Sequence, residues 1–209
     1  MLIAEAVAAG WEIEAEFVAP HGAPVTDCPL FELADGVIER VASTERPQPN
    51  LAIVMIPTTT ISWDELSFVV VADQLADPGN LGTILRSAEA AGVEAVVLTS
   101  GSVDPFNPKV VRASAGALFH VPVIAADIEE IRAAGLQLVG TSSHQGDRHT
   151  EADWCGRIAI VLGNEAHGLP DGAPMDRWVR IVHQGRAESL NVAMAATILV
   201  FEAARQRNS

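Results

Sequence analysis

The chain has 209 residues, of which 49% are hydrophobic and 19% charged, so it allows one ordinary domain, or one domain with a small appendage, and disorder is excluded for most of it. Thirteen basic residues against 27 acidic ones give a net charge of −14, which excludes a general nucleic-acid coat or a binder of anionic membranes and requires a local basic patch for any polyanion. Two cysteines, Cys28 and Cys155, without a CxxC motif argue against a disulfide scaffold or a zinc knuckle.

The N-terminal residues differ from an export signal, because they have no basic start and Glu5 interrupts their short apolar stretch. No apolar run in the sequence approaches the ~20 residues that are needed to span a bilayer. We therefore expect a soluble, cytoplasmic protein that does not bind a membrane.

Residues 1–58 are predicted to form a small, truncated α/β unit that begins inside a helix. Its predicted elements are a helix at 2–9, a strand at 13–18, a helix at 33–43 and a strand at 51–56. Over residues 1–60 nine acids stand against two arginines, a balance of −7 that disfavours contact with RNA. Residues 59–66 are predicted to be a linker, because they lack helical and strand periodicity, and residues 67–209 a second domain.

The second domain alternates short apolar runs with helical patterns. The runs are predicted strands at 68–72, 95–98, 121–124, 136–140, 158–162 and 178–182. Because these runs are apolar on both faces, they indicate a mostly parallel sheet with helices on both faces. The sequence therefore predicts an α/β fold.

Common nucleotide, metal and hydrolase motifs are absent from the sequence. The lack of GxGxxG after the first strand of the second domain and of GxxxxGK[ST] anywhere disfavours a dinucleotide or P-loop site. The six histidines show no HExxH or other paired-ligand spacing, so we expect no metal. Neither Ser114 nor Ser189 lies in a GxSxG elbow, which disfavours a hydrolase triad.

The first of three distinctive segments is a helix predicted over 81–91, together with the turn before it. The helix has one apolar stripe, made of Leu81, Ile84, Leu85 and Ala88. Arg86 lies outside this stripe and is expected to point to solvent or to a partner subunit. In the simpler alternative, Asp77 or Asn80 caps the helix and Arg86 pairs with Glu89.

The other two segments involve predicted strand ends and a helix start. Asn164 and Glu165 lie at the carboxyl end of the strand at 158–162, where ligands of parallel sheets commonly bind. Ser189 is predicted to be the N-cap of a helix that is apolar nearly all round, and Asn191 lies in its first turn, where free N–H groups favour an anion. For the strand end, the alternative is a polar turn that binds no ligand. For the helix start, the alternative is that Ser189 and Asn191 only cap the helix.

Taken in this order, the three segments resemble the motifs of the SpoU/TrmH family of RNA ribose 2′-O-methyltransferases, within the SPOUT superfamily. The motifs read D-P-x-N-x-G-x-x-x-R from Asp77, L-G-N-E-x-x-G-L from Leu162 and E-S-L-N-V from Glu188. The match covers roughly residues 68–206. Residues 1–58 resemble the shortened end of the RNA-substrate-binding domain that often precedes this catalytic domain.

The resemblance implies a trefoil knot in the C-terminal segment, which is otherwise nearly absent from proteins, a homodimer packed through helices near the knot, and S-adenosylmethionine as cofactor. The cofactor positions that it implies are Thr141, Leu162, Gly163, Asn164, Gly168, Ile181, His183 and Leu190. Where the family commonly has Ile-Pro-Met, this chain has Ile181-Val182-His183, and Ala166 replaces a frequent glycine.

The catalytic positions implied by the resemblance are Arg86, Asn80, Glu165, Ser189 and Asn191. Because a guanidinium is hard to deprotonate, we expect Arg86 to hold the adjacent phosphate and to stabilise the developing alkoxide. Either Glu165 or the phosphate then accepts the proton, while Asn80, Ser189 and Asn191 orient the ribose and the cofactor. A basic patch for RNA is expected from Arg86, Lys109, Arg112, Arg148 and Arg186.

The function predicted from these residues is transfer of a methyl group from S-adenosylmethionine to a ribose 2′-hydroxyl of RNA, ribosomal RNA rather than transfer RNA. The rival prediction is a catalytically silent, knotted dimeric module that binds RNA or the cofactor as an assembly factor. The acidic first unit favours the rival, whereas the retained polar motif residues favour the enzyme.

Overall fold

A computed structural model describes residues 2–42, 46–58 and 61–208. The chain divides into two compact units, Met1–Thr58 and Thr59–Ser209. The predicted last residue of the helix at 33–43 and the first two residues of the predicted linker lie outside the described residues.

The first unit is a three-stranded sheet with two short helices. Its elements are α1 (Leu2–Ala8), β1 (Ile13–Val18), β2 (Leu30–Glu32), α2 (Val37–Val41) and β3 (Asn50–Val54). The strand order is β2-β1-β3, with β1 parallel to β2 and antiparallel to β3. Strand β2 was not predicted, and α2 is shorter than the predicted helix because Leu33 still donates its N–H to Val18 of β1 at 2.8 Å, while Ala42 has extended ψ of 142° and ends the helix.

A buried carboxylate organises the first unit. Glu16 of β1 has no solvent exposure, and its oxygens accept hydrogen bonds from the N–H of Val25 at 2.9 Å and of Thr26 at 2.9 Å. The Thr26 hydroxyl at 2.8 Å and the Asn50 side-chain amide at 2.7 Å complete the set. Burial by itself would raise the pKa of Glu16, but these hydrogen bonds hold the pKa below its ordinary value.

The second unit is built on one parallel sheet. Its elements are β4 (Phe68–Ala72), α3 (Pro78–Ala90), β5 (Ala95–Leu98), α4 (Pro108–Ala113), β6 (Val123–Ala125), α5 (Ile128–Ala133), β7 (Gln137–Ser142), β8 (Asp147–Arg148), β9 (Ile158–Leu162), β10 (Arg177–Arg180) and α6 (Val192–Arg207). The strand order is β6-β5-β4-β9-β7-β10-β8, and every pairing between these strands is parallel. The parallel α/β prediction is confirmed.

Alternate residues of the central strands enter two separate cores. On one face of the sheet, Phe68 and Val70 of β4 pack in a cluster with residues of α3, α4 and α6. On the other face, Val69 and Val71 pack in a cluster with Ile131 of α5. Both faces are therefore covered, as the continuous apolar runs predict.

Helix α6 begins two residues later than the sequence suggested. Asn191 is its N-cap, because the Asn191 side chain accepts hydrogen bonds from the N–H of Ala193 at 2.9 Å and of Met194 at 3.2 Å. The prediction that Ser189 is the N-cap is wrong: Ser189 lies in the exposed loop before the helix. An asparagine two residues further on takes the same role, since both residue types cap helices well.

The last turn of α6 is fixed to the start of the second unit. Arg207 donates hydrogen bonds to the carbonyl oxygens of Trp154 at 3.2 Å and Gly156 at 2.6 Å. A third hydrogen bond, of 2.7 Å, joins Arg207 to the Ser67 hydroxyl. The guanidinium also lies 5.0 Å from the centroid of the Phe68 ring, a cation–π distance. We call these contacts the Arg207 clamp.

No helix in the described part of the chain combines the length and the apolar character that crossing a membrane requires.

Candidate active site

The carboxyl ends of three neighbouring strands surround a cavity of about 510 Å³. Residues 141–144 at the end of β7, residues 162–169 at the end of β9 and residues 181–192 between β10 and α6 line it, together with Asn80 near the start of α3. The three sequence segments thus meet at one place, and it is the edge of the sheet where ligands of parallel folds bind.

Most of the implied site residues line this cavity. All eight implied cofactor positions do so, namely Thr141, Leu162, Gly163, Asn164, Gly168, Ile181, His183 and Leu190. Of the five implied catalytic residues, four line it: Asn80, Glu165, Ser189 and Asn191. Arg86 does not.

Three polar side chains from the three segments form a continuous row at the cavity. The Asn191 side-chain amide donates to Asn80 Oδ1 at 2.9 Å, and the Asn80 amide donates to Glu165 Oε1 at 3.1 Å. The Glu165 carboxylate can only accept, so Asn80 donates to it through its amide nitrogen and accepts from Asn191 through its amide oxygen. Both hydrogen bonds of the row therefore run in one direction, from Asn191 to Glu165. It links the starts of α3 and α6 to the loop after β9.

Glu165 is held as a carboxylate by the backbone that precedes α3. Its oxygens accept hydrogen bonds from the N–H of Asp77 at 2.8 Å and of Ala76 at 3.2 Å, in addition to Asn80. Burial by itself would raise the pKa of Glu165, but the backbone hydrogen bonds and Asn80 keep the pKa below its ordinary value. A carboxylate that is so well satisfied is a weak base, which argues against Glu165 as the proton acceptor and for a positioning role.

The loop after β9 folds tightly onto itself. A Cβ on Gly163 would lie 2.3 Å from the backbone of Gly168 and Leu169, so only glycine fits there. Asn164 closes the turn by accepting from the N–H of Ala166 at 2.9 Å and donating to the Gln74 carbonyl at 2.9 Å. The conformation of this loop therefore depends on glycine at position 163.

Arg86 is exposed on α3, six residues after Asn80 and outside the cavity lining. Within the described residues, no ion pair joins it to Glu89, so the i,i+3 alternative is not formed. In a single protomer the guanidinium is thus placed toward solvent, as the helical spacing predicts.

The five residues expected to form a basic patch lie on different elements. Arg86 is on α3 and Lys109 and Arg112 are on α4, the helix that packs beside α3. Arg186 is in the exposed loop before Ser189, and Arg148 is on β8, the edge strand of the sheet. The expected basic patch thus draws on four separate segments, and it stays a prediction.

Three polar lining residues lie outside the motifs, namely Ser142, Ser143 and His144. They lie at and directly after the carboxyl end of β7, and this position was the available signal, since the parallel sheet places all strand ends on one edge. Within the described ranges, no group of three His, Cys, Asp or Glu residues is arranged to hold a metal ion.

Comparison with known proteins finds the family that the three motifs resemble. Residues 67–201 match the model of the SpoU rRNA Methylase family. The chain is 36% identical over 183 residues to the 23S rRNA (guanosine(2553)-2'-O)-methyltransferase RlmP of Bacillus subtilis, covering 84% of this chain and 73% of that protein. It is 34% identical over 190 residues to the 23S rRNA (uridine(2479)-2'-O)-methyltransferase of Streptomyces viridochromogenes, covering 84% of this chain and 66% of that protein.

Solved structures agree over nearly the whole chain. The SpoU methyltransferase AviRb of Streptomyces viridochromogenes in complex with AdoMet superposes with a TM-score of 0.84 at 30% identity, covering 98% of this chain and 87% of that one. The AdoMet-bound rRNA methyltransferase of Sinorhizobium meliloti gives a TM-score of 0.84 at 31% identity, covering 98% of this chain and 84% of that one.

Proposed function

The chain belongs to the SpoU rRNA Methylase family, and from that premise we propose that the cavity binds S-adenosylmethionine and that RNA approaches the row formed by Asn191, Asn80 and Glu165. The protein is an enzyme that transfers a methyl group from S-adenosylmethionine to a ribose 2′-hydroxyl of RNA. The observation that carries the proposal is the row itself, because it joins all three motifs at one cavity.

The cavity fits the cofactor in size and lining. Its volume of about 510 Å³ lies within the range of small-molecule sites, roughly 300–1,000 Å³. Leu162, Ile181, Leu190 and Leu199 supply apolar surface for a base, and Ser142 and Ser143 supply hydroxyl groups. Gly163 and Gly168 line the cavity without a side chain. When bound there, the cofactor supplies an electrophilic methyl group.

The residues of this chain contribute orientation and charge rather than a strong base. A ribose hydroxyl must lose its proton during attack, and Glu165 is a poor acceptor because its oxygens are already satisfied. We infer that the proton leaves to an acceptor outside this chain, an RNA phosphate or solvent water, and that Arg86 stabilises the alkoxide charge that develops on the ribose oxygen. Asn80 and Asn191 position the ribose, since correct alignment supplies much of the rate.

The catalytically silent alternative is disfavoured. The relatives of Bacillus subtilis and Streptomyces viridochromogenes are methyltransferases of ribosomal RNA by name, and the hydrogen-bonded row is complete in this chain. We propose ribosomal RNA as the substrate because these relatives are methyltransferases of ribosomal RNA by name. We also propose that the enzyme acts in the cytoplasm.

We propose that the enzyme is a homodimer in which Arg86 of one protomer reaches the cavity of the other. Helix α6 exposes Met194, Ile198 and Phe201 at 62%, 39% and 48%, a stripe with helical spacing that a second copy would cover. Arg86 lies outside the cavity of its own protomer, so in a dimer it can act in the cavity of the partner protomer. We call these three α6 residues the α6 stripe.

The domain organisation and a knot are also part of the proposal. Residues 1–58 form an RNA-substrate-binding unit, 59–66 a linker and 67–209 the methyltransferase domain. The C-terminal segment is threaded as a trefoil knot, as membership of the family implies.

The test combines calorimetry and methyl transfer. Wild-type protein is expected to bind S-adenosylmethionine and to transfer a tritiated methyl group to ribosomal RNA that lacks the modification. Transfer RNA serves as the competing substrate, and nuclease mapping locates the product on the ribose. Cofactor binding without transfer to either RNA would support the silent module instead, and absence of cofactor binding would overturn the proposal.

A further inference from the structure

Two arginines lie side by side at the edge of the parallel sheet, close to the cavity. Arg180, the last residue of β10, is paired in register with Arg148 of β8 and on its other side with Ser142 of β7. In-register residues of parallel strands point to the same face, and neighbouring strands are only ~4.8 Å apart. Two like charges in this arrangement repel each other.

The face to which Arg180 points is defined by its neighbours. Val179 packs in the cluster that includes α6, whereas Trp178 packs on the opposite face, so Arg180 shares the face of Trp178. Ser142, on the same face, lines the cavity. Val179 of the opposite face also lines the cavity, whereas neither arginine does. The arginine pair therefore lies next to the cavity on the β8 side, at the carboxyl ends of three strands.

Nothing in the described part of the chain neutralises this pair fully. Arg180 has a buried Nε without a hydrogen-bond partner, and no ion pair of Arg180 occurs among the described residues. Arg148 has one acidic neighbour, Glu151 at 3.6 Å, and both side chains are more than half exposed, so this contact is weak. Two arginines on paired, in-register residues, without a full counter-charge in a protein of net charge −14, indicate a site for an external anion.

We propose that Arg180 and Arg148 together bind one phosphate of the RNA substrate beside the cavity. Arginine suits this role, because its planar fork donates two parallel hydrogen bonds to a phosphate. The inference rests on the proposed function and deepens it: Arg148 was expected to contact RNA, while Arg180 had no assigned role. The phosphate contact would set which nucleotide enters, by fixing the RNA backbone at a constant distance from the row at Asn80.

The test measures RNA affinity and its salt dependence. We compare wild type with Arg180→Gln, Arg148→Gln and Arg180→Lys, using a short fluorescein-labelled RNA of mixed sequence. Arg180→Gln is expected to weaken binding about tenfold, as for loss of charge-assisted hydrogen bonds, and to make the slope of log K against log salt shallower by about 0.7. Arg180→Lys keeps the charge but not the fork, so we expect an intermediate loss.

Two controls keep the result interpretable. Arg132→Gln changes net charge equally at the end of α5, just before β7 begins and so at the edge of the sheet opposite the cavity, and it should leave affinity unchanged. By calorimetry, Arg180→Gln should bind S-adenosylmethionine with the same affinity as wild type. The melting temperature of this variant verifies that it is folded. If Arg180→Gln does not fold, the RNA affinities of Arg148→Gln and Arg180→Lys test the proposal in its place.

Each outcome supports or overturns the inference. RNA binding equal to wild type at every salt concentration would overturn it while leaving the proposed function intact, provided that wild type methylates RNA. A loss of cofactor affinity in place of RNA affinity would also overturn it, because the arginines would then bind the carboxylate of the cofactor. If wild type itself neither binds nor methylates RNA, the proposed function fails and the inference fails with it.

Discussion

At the scale of single residues, Asn191 has two separable roles. Its Oδ1 caps α6, and its Nδ2 donates to Asn80 at 2.9 Å. Asn191→Ala removes both and should lower the free energy of unfolding by about 1 kcal/mol, the usual cost of losing an N-cap. Asn191→Asp still caps the helix but cannot donate to Asn80, so stability should be kept while methyl transfer falls at least tenfold, the effect of a lost orienting contact.

Denaturant unfolding and single-turnover methyl transfer measure the two roles. Calorimetry with S-adenosylmethionine shows whether the cavity is still formed. Equal activity of Asn191→Asp and wild type would mean that the hydrogen bond to Asn80 does not orient the reacting groups.

Glu16 makes the first unit sensitive to acid. Its pKa in the folded protein lies below the ordinary value of 4.5, so its contribution to stability is present above that value and is lost as the pH falls through the lower, folded pKa. We expect hydrogen exchange in β1 and β3 to accelerate as the pH is lowered below 4.5, after correction for intrinsic rates. Glu16→Gln should exchange faster at neutral pH and show a weaker pH dependence.

At the scale of elements, the loop after β9 depends on the absence of one side chain. A Cβ at position 163 would lie 2.3 Å from the backbone of Gly168, whereas a Cβ at Gly172 meets nothing within 4 Å. Gly163→Ala is therefore expected to open the loop and to weaken binding of S-adenosylmethionine by at least tenfold, a cost of ~1.4 kcal/mol or more. Gly172→Ala is the matched control and should bind normally by calorimetry.

The elements that the sequence predicted correctly are those with the plainest physical signal. Strands β4, β5 and β9 coincide with their predicted runs, because strands buried on both faces are apolar at every position. Strands β2 and β8 were missed, since a three-residue and a two-residue strand carry no periodicity and form only by pairing with distant segments. Similarly, Ser189 and Asn191 are both good caps, and packing of α6 decides between them.

The candidate site, too, was predictable from the sequence only in part. The motif residues at 80, 163–165 and 189–191 converge because parallel strands end on one edge. The low pKa of Glu165 was not predictable, as it depends on backbone N–H groups of Ala76 and Asp77, which are far away in sequence. Arg180 has no motif, and only the register of β10 with β8 places it beside Arg148.

At the scale of the whole molecule, Arg86 and the α6 stripe predict an active site shared between two protomers. Arg86→Ala and Asn80→Ala should each be inactive alone. Mixed after subunit exchange, they should recover about a quarter of wild-type activity, since half of the dimers are mixed and each of these has one intact site. Methyl transfer to RNA after mixing measures the recovery.

A charge in the α6 stripe provides the control. Ile198→Glu should sediment as a monomer and should prevent recovery in the mixture, whereas Val41→Glu, at a residue that is 62% exposed on α2, should have neither effect. Persistent inactivity of a mixture that contains mixed dimers would contradict the shared site.

The Arg207 clamp makes the start of the catalytic sheet depend on a residue 140 positions later in the chain. Its anchor points at Ser67, Trp154 and Gly156 all precede α6 along the chain, so they cannot be joined until residue 207 has been synthesised. The first strand of the catalytic unit is therefore fixed at its start only after α6 is complete. A chain shortened to end before Arg207 should thus stay open to proteases at the start of β4, although every cavity residue is present.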